Sequence, residues 1–184
     1  MRKLIAVALA FSALIGFAQA QNIDSSPMDH SQMDHAAHMK EKADAQRQTE
    51  VSQRGKDVMP FSLSATTHIF TKNADGGVQR VVAKDASDAD QVARIRQHLQ
   101  EIQAQFLEGD FSGPSHIHGQ DMPGLAELQK ASPGQVDIAY QEVKGGAQLT
   151  YKAKEAPLVG ALHKWFDAQL FDHGNDAVDA HAPH

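Results

Sequence analysis

The feature that most constrains this chain is a pattern met twice: a strand, a Gly-Gly turn, a returning strand and an amphipathic helix. In the first copy "TTHIFTKN" (Thr66–Asn73) is followed by "ADGG" and then by "VQRVVAKD" (Val78–Asp85). β-branched and aromatic runs on either side of a Gly-containing turn are the signature of a β-hairpin. "SDADQVARIRQHLQEIQAQFLEGD" comes next, with Val92, Ile95, Leu99, Ile102 and Phe106 at alternating spacings of three and four. That period predicts a helix with one apolar face, capped by Ser87 or Asp88. The second copy runs "QVDIAYQEV", "KGG", "AQLTYKAK" and "APLVGALHKWFDAQLFDHG", where Leu158, Leu162, Trp165, Phe166 and Leu170 share a face. Pro157 at the start and Gly174 at the end suit the two termini of a helix. Aligning the Gly-Gly turns sets Val92 against Val159 and His98 against Trp165, as an internal duplication would. The expected fold is α+β: two ββα units forming a small antiparallel sheet with two long helices on one face. The link between them, "FSGPSHIHGQDMPGLAELQKASPG", predicts a short helix over 123–130 capped by Asp121.

This domain is expected over residues 58–175. Ahead of it, Met1, Arg2 and Lys3 precede an apolar run over 4–17 and then "AQA", Ala18 to Ala20. The pattern reads as a cleavable secretory signal peptide over 1–20, too short to span a bilayer, which directs the chain to a periplasm. Residues 21–57 hold few large aliphatic side chains besides Ile23 and Val51. Such a stretch is expected to stay a flexible tail, with a transient helix over 36–50 at most. Residues 176–184, "DAVDAHAPH", read as a second flexible tail.

The chain has 17 basic and 23 acidic residues. That balance argues against nucleic acid and anionic lipid as partners and is compatible with cations. There is no Cys. Any metal site must therefore use His, Met, Asp, Glu or backbone atoms.

Two segments concentrate such ligands. "SSPMDHSQMDHAAHM", residues 25–39, repeats Met-Asp-His at a period of five and supplies Met28, His30, Met33, His35, His38 and Met39. Imidazole suits copper in both oxidation states, and thioether selects Cu(I). "HIH", His116–His118, is expected to be extended, so that both rings point the same way. Within the predicted elements, His68 lies on a strand, His98 and His163 flank the apolar faces of the two helices, and His173 ends the second helix. A helix C-terminus favours a cation, which gives His173 a capping role as an alternative. The sequence contains no G-x-S-x-G, P-loop, dinucleotide fingerprint or H-E-x-x-H, so the chain reads as a binding protein and not an enzyme.

"MDHSQMDH" resembles the Met/His-rich segments of periplasmic copper-resistance proteins. "TTHIFTKNADGGVQRVV", "IRQHLQEIQAQF", "IHGQDMPGLAEL" and "LHKWFDAQLFDHG" resemble a family of small proteobacterial periplasmic proteins associated with copper resistance. The resemblance implies that His68, His98, His118, His163 and His173 occupy the family's His positions, whereas His116 does not. Members are sometimes described as aspartate carbamoyltransferases. That enzyme's Ser-Thr-Arg-Thr-Arg phosphate-binding run is absent here, and the chain is too short for its two α/β domains. The expectation is thus a periplasmic protein that buffers copper ions (Cu+ or Cu2+) or hands them on, with another copper-handling protein as partner. One alternative is non-covalent haem binding through His68, His98 or His118. Another is an interaction module whose metal binding is confined to the tail.

Overall fold

The computed structural model describes residues 30–180. The expected signal peptide over 1–20, Met28 and residues 181–184 lie outside them. Ten main elements follow in chain order: α1 (His30–Val58), β1 (Thr66–Asn73), β2 (Gly76–Ala83), α2 (Ala89–Leu107), α3 (Ser112–His118), α4 (Leu125–Gln129), β3 (Val136–Val143), β4 (Gly146–Ala153), α5 (Ala156–His173) and β5 (Ala177–Asp179). Together they make an α+β fold.

The strands form one mixed sheet in the order β3-β4-β2-β1-β5. Two-residue turns close the β1–β2 and β3–β4 hairpins, and β2 joins them through an antiparallel pairing that sets Val81 opposite Ala147. One face of the sheet is buried and carries Phe70, Val81, Leu149 and Tyr151. Against it pack Ile95, Leu99 and Phe106 of α2, and Leu162, Trp165 and Phe166 of α5. Gly77 allows α5 this close approach: a Cβ there would lie 2.5 Å from Phe166 Cε2. Of the two expected caps for α2, Asp88 is the one used, accepting the Gln91 N–H at 3.1 Å. Among the described residues, no helix is long and apolar enough to cross a membrane.

Four expectations are corrected. The sheet has five strands and not four, because residues 177–179, expected in a flexible C-terminal tail, pair in parallel with His68–Phe70 of β1. The link holds two helices, α3 and α4, and α4 begins after Gly124 with no side-chain cap from Asp121. Gly124 has φ +81°, and a Cβ there would lie 2.1 Å from the Ala161 carbonyl oxygen. Third, the His-x-His segment is helical and not extended. Successive helical residues turn by about 100°, so His116 and His118 face nearly opposite ways. His116 is half exposed and His118 is buried.

The fourth correction is the largest. Residues 30–57, expected in a flexible tail with at most a transient helix over 36–50, belong to helix α1. Its composition of Ala, Gln, Glu, Lys and Arg favours helix. What docks it is polar. Arg54 Nε donates to the Ile117 carbonyl at 2.7 Å, Arg47 Nη2 to the His118 carbonyl at 3.1 Å, and Gln48 Nε2 to the Phe171 carbonyl at 2.8 Å. These acceptors belong to the last turns of α3 and α5, where helix carbonyls have no partner of their own. Val51, fully buried, is the apolar anchor of the contact.

Candidate metal centre

The C-terminal ends of α3 and α5 meet the middle of β1, and the imidazoles gather there. β-strand alternation turns His68, like Phe70 two residues on, into the core. His173 closes α5 and stacks on His68 with ring centroids 4.7 Å apart and planes 7° from parallel. His118 closes α3 and meets His173 edge-on at 5.2 Å. His98 of α2 stands on the other side of Phe61, whose ring lies 5.5 Å from His98 and 6.1 Å from His68. All four histidines are buried.

Burial decides the charge of three of them, His68, His98 and His173. An ion in low dielectric loses its hydration, so the neutral ring is favoured. Desolvation, assisted by the nearby His98, lowers the His68 pKa to about 4. Desolvation, then His68 and His118, lowers that of His173 well below the ordinary value. Desolvation also lowers His98, against a small opposing effect of Glu101. Neutral imidazoles offer a lone pair at pH 7. The His68 ring bonds the backbone of Asp176, and its Nδ1 has no hydrogen-bond partner; nor has His173 Nε2. Buried polar atoms are seldom left without a partner.

His118 is held differently. Its Nδ1 lies 2.8 Å from Asp172 Oδ2. Arg47 Nε and Nη2 bind the two oxygens of the same carboxylate at 2.6 and 2.9 Å. Burial opposes ionisation of Asp172, but the bonds from His118 and Arg47 outweigh it and hold the carboxyl below its usual range. An ionised Asp172 accepts the Nδ1–H of His118 and leaves Nε2 as the ring's other nitrogen. A carboxylate behind an imidazole is the usual support of a metal-ligating His.

A cavity of about 40 Å3 lies beside these groups, lined by His68, His98, His118, Met59, Phe61 and Gln169 among others. It has room for an ion or a few waters. A larger cavity of about 280 Å3 lies near Phe106, Leu162 and Trp165, with no imidazole among its lining residues.

Of the ligands expected from the sequence, His68, His118 and His173 are brought into ring contact, with His98 nearby across Phe61. His163 is not. Its Nε2 lies 2.9 Å from both the Asn73 and Gly76 carbonyls, where it ties α5 to the β1–β2 turn. Burial holds the His173 pKa well below its ordinary value, which counts against a cationic capping role. His30 and Met33 fall in the first turns of α1. His35, His38 and Met39 are exposed farther along it, at i, i+3 and i+4, the spacing of one helix face. Asp172, Arg47, Met59 and Phe61 were not expected at the site. Among the described residues, no three or more His, Cys, Asp or Glu side chains stand in a metal-holding arrangement. Comparisons with protein-family models, curated proteins and solved structures found no match to this chain.

Proposed function

We propose that this chain is a copper-binding protein, exported to the periplasm, that buffers the ion or hands it on to another copper-handling protein. The observation that carries the reading is a run of three buried imidazoles in ring contact, His68, His173 and His118, with a fourth, His98, across Phe61; His68 and His173 each keep an unpartnered ring nitrogen. Leaving such nitrogens unbonded costs stability unless another species binds them, and neutral imidazole is a good ligand for copper. The exposed His35, His38 and Met39 of α1 supply the capturing end and the buried cluster the retaining end. The chain order supports a description as two ββα units, β1-β2-α2 and β3-β4-α5. The cluster draws His68 and His98 from the first, His173 from the second and His118 from the link.

The haem alternative is weaker. Pockets for drug-sized ligands run to about 300–1,000 Å3, and the cavity beside the imidazoles measures about 40 Å3. The test is copper titration of three full-length mature proteins. One has Met28, Met33 and Met39 changed to Leu and His30, His35 and His38 to Gln. The second has His68, His98, His118 and His173 changed to Gln. The third is unaltered. Substitution is preferable to deleting residues 21–57, which would remove Arg47 and Val51. Retention of copper by the first and a loss of capacity in the second are expected. Copper binding that survives only where the α1 ligands are intact would leave metal binding confined to that segment, and no binding by the unaltered protein refutes the reading.

A further inference from the structure

We infer that the larger cavity is a binding site for a small neutral molecule: an apolar compound of one or two rings that carries a carbonyl-type acceptor for the Trp165 indole N–H. This goes beyond the copper-binding reading and uses none of its imidazoles.

The cavity has an apolar floor and an open rim. Phe106, Leu128, Ile138, Tyr151, Leu162 and Trp165 make the floor, and all six are buried. Residues 107–109, where α2 ends, and residues 132–134, ahead of β3, make the rim and are exposed. Each rim stretch holds a glycine of positive φ, Gly109 or Gly134, on which a Cβ would meet nothing within 4 Å. At those two points no described residue covers the mouth. Leu107, 49% exposed, sets an apolar side chain beside it. A close-packed core leaves few voids much larger than a water molecule. At about 280 Å3 this one approaches the volume of ordinary ligand pockets. It is nearly twice the ~150 Å3 of an engineered apolar cavity in another protein that takes up benzene, which sets the size at one or two rings.

The polar groups set the chemistry. Trp165 is 2% exposed, and its Nε1–H has no hydrogen-bond partner. The neighbouring Tyr151 hydroxyl donates to Gln79 Oε1 at 2.9 Å, which leaves the indole as the floor's unsatisfied side-chain donor. A buried donor without an acceptor costs stability, and a ligand oxygen would supply one. Trp165 also lines the smaller cavity, but about 40 Å3 has no room for a ring. Among the described residues that line the larger cavity none is Lys, Arg or His, and Glu108, on the rim, is the one carboxylate. Nothing there offsets the charge of an anion, and the apolar floor penalises a cation as well. A neutral acceptor is what remains.

The experiment uses the full mature chain, isotopically labelled for nitrogen NMR, in which the single tryptophan gives one indole resonance. Four probes of one shape are titrated: acetophenone, α-methylstyrene, benzoate and benzamidinium. They present a neutral acceptor, no acceptor, a negative charge and a positive charge. Saturable binding of acetophenone with a downfield shift of the indole N–H is expected. α-Methylstyrene should bind about three- to tenfold more weakly, without that shift. The two ions should bind more weakly still. Val136→Phe, which adds bulk to the cavity wall from β3, should weaken acetophenone at least about tenfold. Circular dichroism verifies folding, and Ala131→Leu is the second variant should Phe disturb it. Acetophenone held no better than α-methylstyrene, an indole resonance it leaves unmoved, or tighter binding of either ion overturns the inference. So does an affinity indifferent to both wall substitutions, or no binding at about 1 mM. The imidazoles are untouched by any of these outcomes, and copper titration decides their role separately.

Discussion

Replacing Arg47 by Ala should release α1 from the domain. The Arg47 side chain is 38% exposed, whereas that of the Asp172 carboxylate it grips is 1% exposed. Breaking a fully buried ion pair costs about 3–5 kcal/mol, because one charge is left without its partner. The exposure of Arg47 and the bond His118 keeps to Asp172 reduce this to about 2 kcal/mol. Most of that loss falls on α1, since its contacts from Gln48, Arg54 and Asp57 are exposed or partly exposed and, among its described side chains, Val51 is the one fully buried apolar group. About 2 kcal/mol is roughly thirtyfold in an opening equilibrium. Amide hydrogen exchange reads it directly. The amides of residues 48–58 should lose protection by roughly that factor, while those of β2 and β4 change little. Amides of residues 35–42, which are exposed on all sides, should exchange fast in both proteins, because an isolated helical segment is marginal in water. Arg47→Lys keeps the charge but loses the two-pronged geometry and should fall between. Protection of residues 48–58 that is already absent in the unaltered protein, or that survives Arg47→Ala, refutes the account of how α1 is held.

Three further outcomes follow from the same physics. The metal-free protein should lose stability as pH falls from 7 to about 4.5. The unfolded His68, titrating at 6.5, takes up a proton that the folded ring, at about 4, refuses, so its contribution is present above 6.5 and is lost toward 4. His68 accounts for about 2 kcal/mol and His173 adds in the same direction. Urea unfolding followed by Trp165, the single tryptophan, measures this, and a midpoint independent of pH would count against neutral buried rings. Gly124→Ala should destabilise by about 2 kcal/mol or more, since a side chain there meets the Ala161 carbonyl at a left-handed φ; an unchanged melting temperature contradicts the close approach. His118→Gln should cost about 2 kcal/mol by weakening the support of Asp172, whereas His116→Gln should stay within about 0.5 kcal/mol in the same thermal assay. Equal effects would mean that the two rings are not turned apart.

The sequence by itself determined the elements whose residues speak through a period. The spacing of Val92, Ile95, Leu99, Ile102 and Phe106 is a helix stripe whatever the tertiary setting. The Gly-Gly pairs marked both hairpins, although Gly145 sits in the second turn at φ +78° while Ala74 and Asp75 close the first, just ahead of Gly76. It also determined which donors are available, since a chain without Cys can offer copper only imidazole, thioether or oxygen. It could not reveal α1, because that helix is held by side-chain hydrogen bonds to the ends of two other helices. Arg47 finds Asp172 across 125 residues, and no hydrophobic rhythm announces such a contact. Spacing alone could not separate His118 from His116, which only the resemblance set apart, since which ring is buried depends on whether the backbone is extended or helical. His163 and His173 sit on one helix, and both read as candidate ligands. Only packing sent one to a hairpin turn and the other onto His68. Local pattern is written in neighbouring residues, but the meeting of imidazoles from β1, α3 and α5 exists only once those elements are packed, because burial and ring contacts are properties of the assembled fold.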